Sequence, residues 1–160
     1  MSFKLSTYVA AAGLALLAGT PALAAGSHSA SGEPGKAENV DRTVTVKADE
    51  TQDGMVFEPS SIEVEKGETL RIVIENVGDL EHELYLGTHE EVEKHAEQMK
   101  KMPEMEHAEP NSARVDPGHQ DEVIWQFTKS GAFTFACLIP GHMQAGMFGE
   151  VTVTDEQASQ

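Results

Sequence analysis

The stretch Cys137-Leu138-Ile139-Pro140-Gly141-His142-Met143-Gln144-Ala145-Gly146-Met147 decides how this chain folds and what it holds. Its donors stand in the order C-x4-H-x4-M. A thiolate and imidazoles with a weak axial thioether form the ligand set that serves both Cu(I) and Cu(II), so an electron can enter or leave with little movement of the ligands. Placing three donors on one short connection lets a single loop define most of a metal site. Cys137 is also the only cysteine, so it has no partner within the chain for a disulfide.

The residues on either side of that loop alternate with period two. Phe133 and Phe135 lead into Cys137, and Val151 and Val153 follow Met147. The same pattern recurs upstream at Val44, Val46 and Ala48, at Ile62 and Val64, at Leu70, Ile72 and Ile74, at Val115, and from Val123 to Phe127. Alternation with β-branched and aromatic residues is the strand signal. Turn chemistry separates the runs at Glu58-Pro59-Ser60-Ser61, Glu65-Lys66-Gly67-Glu68, Asn76-Val77-Gly78-Asp79, Asp116-Pro117-Gly118 and Lys129-Ser130-Gly131. About seven short strands at this spacing predict an all-β, Greek-key β-sandwich or barrel.

One segment breaks the pattern. Across residues 88–112, Thr88 and Glu91 match a capping box and good helix formers run to Lys101, until Pro103 stops them. A helix of about three turns, inserted between strands, is expected there. The insertion is rich in soft and imidazole donors: His89, His95, Met99, Met102, Met105 and His107. His95, Met99 and Met102 fall at i, i+4 and i+7, on one helical face. Two readings follow. Either Met99 and Met102 pack the helix on the sandwich with His95 exposed, or these residues form a second, weaker Cu(I) site.

The loop supplies one histidine, and the donor set needs another. His82 is the best candidate, because it directly follows the third alternating run, whose end can lie at the same pole as the Cys137 loop. His89 and His95 belong to the helix, His107 to the segment after it, and His119 to a turn.

At the N-terminus, Lys4, the apolar run from Tyr8 to Gly19 and Ala22-Leu23-Ala24 read as a signal peptide over residues 1–24. The run is shorter than the ~20 residues a membrane-spanning helix needs. Residues 25–42, rich in Ser, Gly, Ala and Glu, are expected as a flexible leader that contains His28. The domain itself is expected over 43–155, with a tail at 156–160. The formal charge is −16. Removal of residues 1–24 takes away Lys4 and no acid, leaving 10 basic against 27 acidic groups, or −17. Such a surface repels nucleic acid and suits a cation or cationic partner.

Beyond these residue-level readings, Met55-Val56-Phe57-Glu58-Pro59, Ile62-x-Val64-x-x-Gly67, Leu70-x-Ile72-x-Ile74-x-Asn76 and the His82 and Cys137 loops together resemble the cupredoxins, over about residues 43 to 154. The ligand spacing is similar to that of rusticyanin and auracyanin. The resemblance implies a two-sheet Greek-key barrel holding one type 1 copper, with His82, Cys137 and His142 as equatorial ligands and Met147 as the axial one. Two positions depart from the pattern of many small blue-copper proteins: Glu83 stands where Asn follows the first histidine, and Leu138 where Ser or Thr follows the cysteine. The side-chain brace between the two loops is therefore missing, although the Glu83 N–H can still donate to the Cys137 sulfur.

The His/Met-rich insertion resembles that of periplasmic cupredoxins associated with bacterial copper tolerance. The expected function is thus a soluble periplasmic protein that binds, buffers or redox-handles copper, with a redox or copper-transfer protein as partner and no membrane insertion after cleavage. The alternative is an electron carrier serving a respiratory chain. An enzyme is disfavoured. A binuclear copper centre needs a second cysteine on the loop, a multicopper oxidase or nitrite reductase needs further histidine clusters, and no Ser-His-Asp or phosphate-binding motif is present.

Overall fold

A computed structural model describes residues 29–102 and 109–155. The proposed signal peptide, Met105, His107 and the C-terminal tail lie outside the described residues. Among the described residues, ten strands form two five-stranded sheets. The strands are β1 (Gly32–Pro34), β2 (Arg42–Thr51), β3 (Gly54–Glu58), β4 (Ser61–Glu65), β5 (Thr69–Asn76), β6 (His82–Gly87), β7 (Ser112–Val115), β8 (Gln120–Phe127), β9 (Gly131–Ala136) and β10 (Phe148–Thr154). One sheet has the order β1-β8-β5-β2-β3 and the other β4-β10-β9-β6-β7. Two pairs are parallel, β2 with β5 and β4 with β10. Parallel neighbours cannot be joined by hairpins, so the chain crosses between the sheets, as a sandwich of this kind requires.

The alternating residues face inward as expected. Val46 and Ala48 of β2, Leu70, Ile72 and Ile74 of β5, and Val123, Trp125 and Phe127 of β8 meet Ile62, Val64, Phe133, Phe135, Val151 and Val153 from the opposite sheet. Burying each large apolar side chain contributes about 1.5–3 kcal/mol.

Three strands carry no alternating signal. β6 is buried at every position, His82 to Gly87. Leu84 and Leu86 face the sandwich core, while Tyr85 on the other face joins Val92, Met99, Ala136 and Leu138 beneath the helix α1 (His89–Lys101). A strand covered on both faces has no polar side to alternate with. β3 is a short strand at the sheet's edge. β1 lies in the segment expected to be a flexible leader. Gly32, Glu33 and Pro34 pair with Phe127, Gln126 and Trp125 along the edge of the first sheet, where a proline is tolerated. Strand pairing therefore extends upstream of residue 43.

Helix α1 starts as its capping box predicts. The Glu91 N–H donates to the Thr88 hydroxyl at 3.2 Å, and the Thr88 N–H donates to the Glu91 carboxylate at 2.7 Å. The same carboxylate accepts from the Ser29 hydroxyl at 2.8 Å and the Ala30 N–H at 3.1 Å. It thus fastens the N-terminal segment to the helix start. Among the described residues, no helix is long and apolar enough to cross a membrane.

Burial disfavours the Glu91 charge, but its bonds to Thr88, Ser29 and Ala30 outweigh burial and hold its carboxyl below the ordinary value. A depressed folded pKa gives stability that is present above the unfolded pKa and is lost as pH falls through the folded one. Glu91→Gln should therefore cost about 1 kcal/mol at neutral pH, the usual worth of a cap. In thermal melts, the gap to the wild type should narrow as pH drops below about 4. A gap that stays constant with pH would contradict this role.

Candidate metal centre

Three strand ends and one loop meet at one pole of the sandwich. His82 opens β6, Cys137 follows β9, and His142 and Met147 lie on the connection from β9 to β10. The loop is held by its own backbone. The Cys137 N–H donates to the Met147 carbonyl at 3.0 Å, the His142 N–H to the Ile139 carbonyl at 3.0 Å, and the Met147 N–H to the His142 carbonyl at 3.1 Å. A 3-10 turn at Met143–Ala145 ends at Gly146, whose φ of +104° lies in the left-handed region. A side chain would strain that turn, so glycine is required between His142 and Met147.

Among the described residues, His82, Cys137 and His142 bring one donor atom each within 4.8 Å of one another, and all three are buried. The Cys137 sulfur lies 3.4 Å from His142 Nδ1. The two imidazoles meet edge to face, with ring centroids 5.2 Å apart. Met147, whose N–H bonds the His142 carbonyl, is fully buried in the same core cluster as Cys137. His82 Nδ1 is buried without a hydrogen-bond partner, while its Nε2 contacts Glu50. A buried ring nitrogen left unsatisfied is costly unless a further group completes it. A metal ion fits that need, and a soft sulfur with two imidazole nitrogens suits copper.

The electrostatics agree with such a site. Burial pushes the Cys137 thiol up to about 12, against the pull of the Glu83 and Ile139 N–H groups. A metal taken up here must therefore displace the thiol proton. Burial, followed by the neighbouring His82, holds the His142 imidazole below its ordinary value, which favours the neutral, ligating form.

The Glu83 N–H donates to the Cys137 sulfur at 3.4 Å, as expected. The missing side-chain brace is replaced by other contacts. The Glu83 carboxylate turns away and accepts from the Ser112 hydroxyl at 3.1 Å. Leu138 packs under α1 with Tyr85, Val92 and Met99. The insertion thus covers the strands that carry His82 and Cys137.

Among the described residues, the other candidate donors lie outside the His82, Cys137 and His142 cluster. His119 Nδ1 lies 3.0 Å from the Pro117 carbonyl in an exposed turn. His89, at the start of the helix, is 71% exposed. Met102 caps its C-terminus and is 44% exposed. His95 is buried, with its ring stacked on Tyr85 at 4.3 Å, and Met99 is buried beside it in the cluster under the helix. The packing reading therefore holds for Met99 but is reversed for the other two, because His95 is covered and Met102 faces solvent. A flat imidazole can stack on a tyrosine ring, and the i+7 position falls where the helix ends.

Sequence reasoning missed Glu50, at the end of β2. Its carboxylate oxygen lies 2.6 Å from His82 Nε2, and the Asp79 and Leu80 N–H groups donate to the same carboxylate at 2.8 and 3.2 Å. In Ala48-Asp49-Glu50-Thr51 it reads as one of many solvated acids. No local motif links it to a histidine 32 residues downstream.

Comparison with known proteins agrees with this geometry. The profile of the copper-binding proteins of the plastocyanin/azurin family matches residues 43–154. A "Copper-resistant cuproprotein CopI" of Rubrivivax gelatinosus is 50% identical, over 76% of this chain and 72% of that protein. A protein of the same name from Pseudomonas aeruginosa is 36% identical over 88% of this chain and 92% of its own length. Auracyanin B superposes with a TM-score of 0.63 at 21% identity, covering 79% of this chain and 96% of that one, a likeness of fold. From the buried His-Cys-His cluster and these matches together, the chain belongs to the plastocyanin/azurin family of copper-binding proteins, among the CopI cuproproteins.

Proposed function

We propose that this protein holds copper outside the cytoplasm, in the periplasm, and protects the cell against excess copper by binding and redox handling rather than by enzymatic turnover. The observation that carries this reading is the convergence of one donor atom each from His82, Cys137 and His142, together with a His82 Nδ1 that is buried without a hydrogen-bond partner. His82 Nδ1, Cys137 Sγ and His142 Nδ1 would hold the ion, with Met147 as the axial ligand. Bound copper would supply a Cu(I)/Cu(II) couple. The protein supplies the rest: a buried thiol, two oriented imidazoles and exclusion of water. The relatives named for copper resistance support tolerance over respiratory electron transfer. The acidic surface suits attraction of a cation or of a basic transfer partner.

Two experiments test this reading. Cu(II) added to the purified protein should give an intense visible thiolate-to-copper band. Cys137→Ser should abolish it, because no other residue supplies a thiolate. His82→Ala and His142→Ala should weaken or bleach it, and His119→Ala should leave it unchanged. A band that survives His82→Ala would mean that another residue is the upstream ligand.

The second experiment is genetic. Deletion should sensitise cells to excess copper, and the wild-type gene should restore growth where Cys137→Ser fails. Normal growth of the deletion strain on high copper, combined with impaired respiration at ordinary copper supply, would favour the electron-carrier reading instead.

A further inference from the structure

We propose that Glu50 is a positioning residue of the copper site: it fixes the tautomer and aim of His82 and sets a permanent negative charge behind that ligand, favouring Cu(II). The inference rests on the copper reading above. It begins with the three donors on one carboxylate, the His82 ring and the Asp79 and Leu80 amides, at 2.6, 2.8 and 3.2 Å. Two of those donors are backbone N–H groups at the tip of the β5–β6 connection. The carboxylate is therefore fixed in place independently of His82.

An ionised carboxylate can only accept, so His82 Nε2 must carry the proton. In the neutral ring Nδ1 is then left with its lone pair, and this Nδ1 is buried without a hydrogen-bond partner in a residue that shares the donor cluster with Cys137 and His142. A carboxylate behind a ligating histidine also raises the basicity of the ligand. The link has a structural consequence too. Glu50 ends β2 in one sheet and His82 opens β6 in the other, so the contact ties the two sheets together at the metal-binding pole.

Gly78 supplies an independent observation. A Cβ at this position would stand 2.6 and 2.7 Å from the two Glu50 carboxylate oxygens. The connection is therefore shaped to admit the carboxylate, with the Gly78 N–H held by the Asn76 side-chain oxygen at 3.0 Å. Most of the other acids among the described residues are exposed, whereas the Glu50 side chain is 24% exposed and in contact with His82.

The test uses the copper-loaded full domain with Glu50→Gln, Glu50→Ala and Gly78→Ala, and Glu63→Gln on β4 as a control of equal charge change. Glu50→Gln can still accept from Nε2–H, so it should keep the visible band but raise the reduction potential, with the affinity for Cu(II) falling relative to that for Cu(I). Glu50→Ala should lose both charge and aim, and should release copper to a chelator about 10- to 100-fold more readily. Gly78→Ala should shift the potential in the same direction, and Glu63→Gln should match the wild type. In the copper-free protein, nitrogen NMR should show His82 as the Nε2–H tautomer in the wild type and in Glu50→Gln, and as a mixture in Glu50→Ala. Thermal melts will show whether each variant is folded.

A wild-type Nδ1–H tautomer, or a Glu50→Gln potential and Cu(II) affinity equal to those of the wild type, would overturn the role of Glu50 while leaving the copper reading intact. A wild-type protein that takes up no Cu(II) would instead overturn the copper reading, and this inference with it.

Discussion

The hydrogen bond from the Cys137 N–H to the Met147 carbonyl, 3.0 Å long, closes the loop on which the site depends. It holds the end of β9 against the start of β10, so the loop between them must bulge toward the pole and carry His142 with it. Gly146 allows the sharp return, and the bonds among Ile139, His142 and Met147 leave the loop little freedom. The donors are thus pre-positioned by backbone bonds that do not need the metal. Preorganisation of this kind lowers the cost of switching between two oxidation states, because neither demands that the ligands move.

What sits outside the loop is equally constrained. Helix α1 lies over the outer face of β6 and β9 and buries Tyr85, Leu138, Val92 and Met99 together. In a sandwich with one solvated face, those strands would present polar residues outward. Here they are dry on both sides near the ligands, and the Cys137 sulfur itself lies in the sandwich core, where burial pushes its thiol up. The His/Met-rich insertion therefore has a structural task whether or not it also meets copper. His95 shows this most clearly, stacked on Tyr85 rather than held in solvent.

The extent to which the sequence announced all this varies with the physics of each element. Strands with one wet face, such as β4, with Ile62 and Val64 buried between exposed neighbours, were legible because burial imposes period two. The capping box at Thr88 was legible because its chemistry is local. The C-x4-H-x4-M loop was legible because its donor types have few other reasons to occur together. β6 was illegible as a strand because both its faces are covered, and β1 because a three-residue edge strand leaves no period to count. Glu50 was illegible for a different reason. Its role depends on sheet packing that brings β2 to His82, and nothing in its neighbours along the chain records that.

The central claim is that one copper ion lies among His82, Cys137, His142 and Met147. It is tested most directly by a crystal structure of the copper-loaded protein, with diffraction recorded on both sides of the copper absorption edge. The anomalous difference map should place a single strong peak between His82 Nδ1, Cys137 Sγ and His142 Nδ1, within bonding reach of the Met147 thioether. A strong peak beneath helix α1 at His95 and Met99, with none beside Cys137, would contradict the account.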